Sequence, residues 1–237
     1  RLIYVSITGF PPNGPSANRP GLDIAAQAES GLMSVTGEQD GDPLRIGPPI
    51  ADVAASYAVV QAVLAALVRR ERTGEGGVAE VSLLGAAVHL QSALWGEWHV
   101  TGQEPRRKGN GQATVAPAAD LVHTADGTIV VSAYTPAHFA RLCKVIDREW
   151  MITDPRFADN PARVAHRPAL LAEISQALGG LTTAACLELL AANGIVAAQV
   201  RGYGDVAEAP DVRAGGVLTT GVDPAGEQLV APVAPGP

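Results

Sequence analysis

The stretch that most constrains the fold is Pro48 to Gly77, PPIADVAASYAVVQAVLAALVRRERTGEGG. Two prolines stop any preceding element. From Asp52 the apolar residues Val53, Tyr57, Val60, Leu64 and Leu67 then recur at helical spacing, which predicts one long helix. Val59, Val63 and Val68 make it apolar on nearly every side as far as Arg69, the pattern of a helix buried between layers. Arg69, Arg70 and Arg72 complement the negative end of the helix dipole, and Gly74 suits a left-handed cap. Asp52 at the near end has two readings. It caps the first free N–H groups, or it faces a cleft as a carboxylate nucleophile held at the helix N-terminus.

A chain of 237 residues with 47% hydrophobic content can bury a sizeable core, and its length suits one large or two small domains. Net charge is −7, and the basic residues are dispersed apart from Arg69–Arg72 and Arg106–Lys108, so no nucleic-acid partner is expected. No apolar run is expected to reach the ~18 residues of a membrane span, and no signal-peptide pattern opens the chain. Cys143 and Cys186 lie far apart inside predicted helices, which points to reduced thiols, a cytoplasmic setting and no metal site. The start at Arg1, already strand-like by Leu2, suggests part of a longer polypeptide.

RLIYVSITGF reads as a β-branched strand of an α/β sheet running into Gly9. The turn-rich PPNGPSANRPGLD follows, where loops of such sheets bind ligands, so Asn13, Arg19 and Asp23 are candidates against the alternative of solvated loop polars. A short helix is expected over 24–33. After Gly77, VAEVSLL is a strand and Leu84–Val100 a second helix, whose His89 and His99 are given no chemical role. GQEPRRKGNGQATVAP is the clearest linker, and a boundary is set near residue 103. Beyond it, DLVHTADGTIVVSA reads as a β-hairpin turning at Asp126-Gly127. Helices are expected over 136–146, 161–178 with a break at Arg167-Pro168, and 182–192 between Thr182 and Gly194. NGIVAAQV is a further strand, and VLTTGVD and EQLVAPVA two more.

Taken in order, RLIYVSITGF, NRPGLDIAAQAESGLMSVTG, the PPIAD…AALVRRERTGEGG block with VSLL, and then ADGTIVV, DPRF and NGIVAAQV resemble the class III CoA-transferase family, which includes the alpha-methylacyl-CoA racemases. The resemblance implies an α/β fold, with residues 1–103 as the later half of a doubly wound, Rossmann-like CoA-binding domain. A linker at 104–111, a small α+β domain at 112–205 and a return segment at 206–237 complete the expected organisation. It also implies an interlocked homodimer, no tightly bound cofactor, and acyl-CoA and carboxylic acid substrates. The family's nucleophile falls on Asp52, with Asp23 beside it as an orienting acid. Arg19, Leu22, Gly109 and Asn110 are carried over as CoA-cleft residues, the last two as the counterpart of a glycine-rich lid.

A racemase reading would need a proton carrier on each face of the substrate. The family's histidine position is Leu22 here, and its glutamate position falls in Tyr134-Thr135-Pro136, so acyl transfer fits better. Two departures keep a third reading open beside the transferase, an inactive interaction subunit or fragment. The family's GFG is Gly9-Phe10-Pro11, with a fixed φ and no N–H at Pro11, and the nucleotide-gripping portion is expected before Arg1. A chain of this extent is expected to show little activity alone. Leu22, Ile24 and Tyr134 line a pocket or, more commonly for such residues, belong to a core. Asp23 is expected to lie near Asp52.

Overall fold

Strand β1, Ile3–Thr8, pairs in parallel with β2, Gly77–Ser82, in a register running from Ile3 opposite Gly77 to Thr8 opposite Ser82 in the computed structural model, which describes residues 1–111 and 116–233. Parallel strands need a crossover. Helices α1, Asp23–Glu29, and α2, Ile50–Thr73, provide it. A Cβ on Gly76 would stand 1.9 Å from the Leu2 carbonyl oxygen, so the strand starts approach at a distance only glycine permits. After β2 come α3, Leu83–His89, capped by the Ser82 hydroxyl, and α4, Ser92–Thr101. The single helix expected over 84–100 is therefore broken at Leu90-Gln91. The Gln91 side chain turns inward there, donating to the Ser30 and Ala87 carbonyls.

The seam joining α1, α2 and α3 is built from small residues, Ala26, Ala51, Ala55 and Ala87 with Leu83. Alanines let helix backbones approach closely, and they give one side of α2 a packed face against α1, α3, β1 and β2. The opposite side carries the larger residues Val53, Tyr57, Val60, Leu64 and Val68, all exposed in this chain. Burial between two layers was the expectation for α2. Only its alanine side is covered here, because large and small residues segregate to different faces of the helix. Contrary to the sequence reading, Ile50–Thr73 is also long and apolar enough to cross a membrane by length and mean hydropathy. Its packing along two strands and two helices is that of a layer helix in an α/β unit. It ends as expected at Gly74, φ 74°, whose N–H donates to the Arg70 carbonyl.

The chain divides into two units, Arg1–Asn110 and Gly111–Pro237. Residues 104–110, read as linker, run along the first. Arg107 donates from Nε to the Glu38 carbonyl at 3.1 Å and from Nη1 to that of Ser34 at 3.4 Å, and the Gly109 N–H donates to the Gly37 carbonyl at 3.1 Å. Residues 112–115 of the same glycine-rich stretch lie outside those described.

In the second unit β3, Ala119–His123, β4, Thr128–Ser132, and β5, Val196–Gln199, form an antiparallel sheet in that order. Helices α5, Pro136–Val145, α6, Asn160–Ala165, α7, Arg167–Leu178, and α8, Thr183–Ala192, follow the β3–β4 hairpin. Residues of β3, β4, α5, α7 and α8 share one core around Val122, Ile129, Phe139, Leu142, Ile174 and Leu190. The expected turn at Asp126-Gly127 also has a tertiary role, because Asp126 Oδ1 accepts the Thr183 N–H at 2.7 Å and fastens the hairpin tip to the start of α8. That bond, first among several, holds the Asp126 carboxyl below its ordinary range. Arg163, almost fully buried, lies over the Phe139 ring at 4.0 Å and donates to the Phe157 carbonyl at 2.7 Å, pinning the end of the DPRF segment. Two short helices not anticipated, α9, Tyr203–Glu208, and α10, Pro210–Ala214, precede the hairpin of β6, Leu218–Val222, and β7, Gln228–Pro232.

Cys143 and Cys186 are both buried and free. Burial pushes the Cys143 thiol from 9.0 up to about 11, so the folded chain holds that proton over a pH range in which the unfolded chain releases it. The associated stability is complete below about pH 9 and is lost as pH rises toward 11. Unfolding free energies of the wild type and Cys143→Ala, measured in denaturant at pH 8 and pH 11, are expected to converge by roughly 2 kcal/mol at the higher pH. A constant gap would contradict this account.

Candidate active site

The site starts from how the chain leaves β1. A Cβ on Gly9 would stand 2.5 Å from the Gly21 Cα, and one on Gly21 would stand 2.6 Å from the Gly9 Cα, so the ends of the 9–21 loop touch backbone to backbone. The Leu84 N–H also donates to the Gly9 carbonyl at 3.1 Å, tying the loop to α3. Pro11 is accommodated because it starts a turn, its carbonyl accepting the Gly14 N–H. This closure delivers Leu22 and Asp23 to the first turn of α2.

Asp23 does not cap its own helix. It is the first residue of α1, the cap position is Leu22, and no side chain caps that end. Its buried carboxylate instead accepts the Ala51 N–H of α2 on Oδ1 at 2.8 Å and the Gln27 Nε2 on Oδ2 at 2.7 Å. Arg45 Nε stands 3.9 Å from Oδ2, with its guanidinium donating to the Gly47 carbonyl. Gln27, fully buried, completes the arrangement by accepting the Ile46 N–H on Oε1 at 3.0 Å. Helix α2 has Pro49 at its cap position, which offers no side-chain acceptor, so the distant Asp23 caps it instead.

Asp52 is thereby left free. It is the third residue of α2 and exposed, and among the described residues its carboxylate has no hydrogen bond or ion pair. The N-cap reading of Asp52 does not hold. The two acids expected to lie near one another do so through the Ala51 amide, which Asp23 grips one residue before Asp52.

The remaining candidates are more scattered. Arg19 is exposed, with its guanidinium 4.5 Å from the centre of the Phe10 ring and paired to Glu29. That hydrogen bond raises the Arg19 pKa and lowers that of Glu29. Leu22, Ile24 and Tyr134 are exposed, which corrects the core reading; Leu22 and Ile24 flank the inward-facing Asp23 and therefore point elsewhere. Gly109, φ 64°, and Asn110 line an open cavity with Val35, Thr36, Gly37, Glu38 and Leu44. Among the described residues no group of three or more His, Cys, Asp or Glu could hold a metal ion. Sequence reading missed Gln27 and Arg45. The spacing of Asp23 and Gln27, four apart on one helix, was the available signal for the first.

Asp23→Ala would leave the Ala51 N–H and the Gln27 amide without their acceptor, and is expected to cost about 3 kcal/mol in denaturant unfolding. Asp52→Ala removes a group with no partner and is expected to cost less than about 1 kcal/mol. The reverse order would return the capping role to Asp52.

The sequence matches the profile of CoA-transferase family III over residues 1–236. A probable fatty acyl-CoA transferase of Mycobacterium tuberculosis, Rv3272, is 36% identical over 88% of this chain and 55% of its own length. An acetyl-CoA:oxalate CoA-transferase of Acetobacter aceti is 34% identical over 93% and 59%. The crystal structure of Rv3272 in its orthorhombic form superposes with a TM-score of 0.83 at 32% identity, covering 99% of this chain and 62% of that one. A CaiB/BaiF family protein from Brucella suis gives 0.80 at 32% identity, covering 96% and 59%. The chain thus spans about 55–60% of the length of these curated relatives. Its mixed α/β architecture and its sequence agree from end to end, and the chain belongs to CoA-transferase family III.

Proposed function

We propose that this chain carries the nucleophile of an enzyme that moves coenzyme A from an acyl-CoA thioester to a carboxylic acid, with Asp52 as that nucleophile. The observation that supports this reading is the exposed, unpartnered carboxylate of Asp52 on the first turn of α2, left free because Asp23 holds the helix end. A helix N-terminus favours negative charge, so it suits both the resting carboxylate and the oxyanion that forms when a thioester carbonyl is attacked. One relative described above is named an acetyl-CoA:oxalate CoA-transferase and another a probable fatty acyl-CoA transferase, which supports the substrate class.

In this scheme an Asp52 oxygen attacks the thioester carbonyl of the donor, the C–S bond breaks, and a mixed anhydride and CoA thiolate result. The thiolate attacks the aspartyl carbonyl, releasing the donor acid and leaving an aspartyl-CoA thioester. An acceptor carboxylate attacks that thioester, expelling the thiolate and forming a second anhydride. Attack of the thiolate on the acceptor's acyl carbon then gives the new acyl-CoA and regenerates Asp52. Each step exchanges one activated acyl bond for another. Asp23 and Gln27 hold the backbone amides of Ile46 and Ala51, so that Asp52 projects from a fixed point of the chain.

The racemase alternative lacks support from its required positions. Leu22 carries no proton, and Thr135 is occupied as the cap of α5, its Oγ1 accepting the His138 N–H. The exposed stripe of α2 suits burial against further protein, consistent with the longer relatives and with the homodimer the family implies. Two buried, unpaired cysteines accord with a cytoplasmic setting.

The test uses the purified protein, alone and together with the part of a longer family III relative that this chain does not cover. Incubation of the combined protein with an accepted acyl-CoA is expected to leave a CoA thioester on the peptide containing Asp52, cleavable by hydroxylamine and visible by mass. Asp52→Ala should lose both adduct and turnover, whereas Asp52→Asn should retain acyl-CoA binding within about threefold, since shape is kept and only charge removed. The chain alone is expected to show little turnover. Transferase turnover retained in a folded Asp52→Ala protein would sink the mechanism.

A further inference from the structure

A pocket of about 110 Å³ opens in the first unit between the Ser30–Val35 turn, α4 and the start of the 104–110 strap. Its wall includes Ser30, Ser34, Gln91, Trp95, Trp98 and Glu104. Neither Asp23 nor Asp52 belongs to it, and no lysine or arginine among the described residues lines it.

The donors on the polar part of this wall point inward to the protein. Gln91, 7% exposed, gives its amide NH2 to the Ser30 and Ala87 carbonyls, both at 3.0 Å. Two carbonyl partners fix the orientation of the side chain, because turning the amide over would set its oxygen against two other oxygens. Gln91 Oε1 therefore faces the Gly31 side of the pocket as an acceptor with no donor supplied by the described residues, 3.8 Å from where a Cβ on Gly31 would stand. The Ser34 hydroxyl donates to the Gly31 carbonyl at 2.7 Å, which leaves its lone pairs for a ligand, while the Ser30 hydroxyl donates to the Gln27 carbonyl at 3.3 Å and accepts the Leu32 N–H at 3.4 Å. Glu104 adds a carboxylate with no ion pair among the described residues. Trp95 and Trp98 contribute ring surface, with centroids 5.3 Å apart and planes tilted by 50°.

We propose that this pocket binds a small alkylammonium group carrying at least one N–H. A cation is attracted by the indole rings and by the Glu104 carboxylate, and its N–H supplies the donor that the Gln91 oxygen lacks among the described residues. An anion would find donors in the Trp95 and Trp98 indole N–H groups but would face the Glu104 carboxylate and the oxygens of Gln91, Ser30 and Ser34. A neutral apolar group would leave the Gln91 oxygen unpaired. A divalent metal would find a single carboxylate where it needs several oxygen ligands. Acyl-CoA and carboxylic acids are anionic, so this ligand is of a different class from the proposed substrates, and the inference does not rest on the catalytic reading.

The test is a binding measurement on the full chain in a Trp150→Phe background, so that emission comes from Trp95 and Trp98 alone. Titration with tert-butylammonium chloride at constant ionic strength is expected to give a saturable emission change, while tert-butanol, of the same shape but neutral, should bind about tenfold more weakly or less. Tetramethylammonium, with the charge but no N–H, should be weaker than tert-butylammonium by about fivefold. Glu104→Gln, at an exposed position that leaves folding intact, should weaken tert-butylammonium by about fivefold. Absence of saturation, equal binding of tert-butanol or tetramethylammonium, or indifference to Glu104→Gln would each overturn the proposal. Melting temperature, followed in parallel, confirms that each variant remains folded.

Discussion

The hydrogen bond from the Ala51 N–H to Asp23 Oδ1 is the contact on which the first unit's arrangement turns. A long helix that begins after two prolines has free N–H groups and no side chain of its own at the cap position. Supplying the acceptor from another helix satisfies that end and also fixes where α1 and α2 meet. It also leaves the Asp52 carboxylate free, as the proposed attack on a thioester would need. Gln27 and Arg45 extend the same device along the segment that enters α2.

The second unit repeats the principle with different residues. Helix α8 has Thr182 as its cap, yet its next amide, Thr183 N–H, is taken by Asp126 from the tip of the β3–β4 hairpin. In both units an amide at a helix start is paired with a carboxylate distant in sequence, 28 residues away for Asp23 and 57 for Asp126. Such pairs specify tertiary placement in a way that a local cap cannot, because the acceptor arrives only when two elements are correctly docked. A Cβ on Gly127 would meet the Thr183 hydroxyl at 2.8 Å, so the hairpin turn is glycine for docking as much as for its own bend.

Much of this is legible in the sequence, and the failures have physical causes. The long helix, its glycine stop, the parallel strands on either side of it and the Asp126-Gly127 hairpin follow from periodicity and turn chemistry, which act locally. The pairing of Asp23 with α2 is anticipated only as proximity, through family resemblance. Its form, an amide gripped one residue before Asp52, depends on the Gly9–Gly21 contact, which no local pattern announces. Gln27 goes unassigned because a glutamine inside a helix carries no distinctive signal until both its partners are known. The burial of α2 is overestimated when an all-apolar helix is given two equivalent faces, whereas its alanines and its larger side chains occupy separate ones. The strap at 104–110 reads as a free linker from its charges and the glycines in and around it; Gly109 and Arg107 are what tie it to the Gly37-Glu38 turn.

The Gly9–Gly21 contact also divides the adjoining loop into parts with different freedom. Its ends are held by backbone against backbone, while the residues from Pro11 to Pro20 form turns that stabilise one another locally. Changes in the length or composition of that stretch can be absorbed at the surface without displacing the acid that follows it. The fold thus contains a region open to variation immediately beside one that tolerates almost none, an arrangement under which a new recognition surface can arise while the neighbouring carboxylates keep their positions.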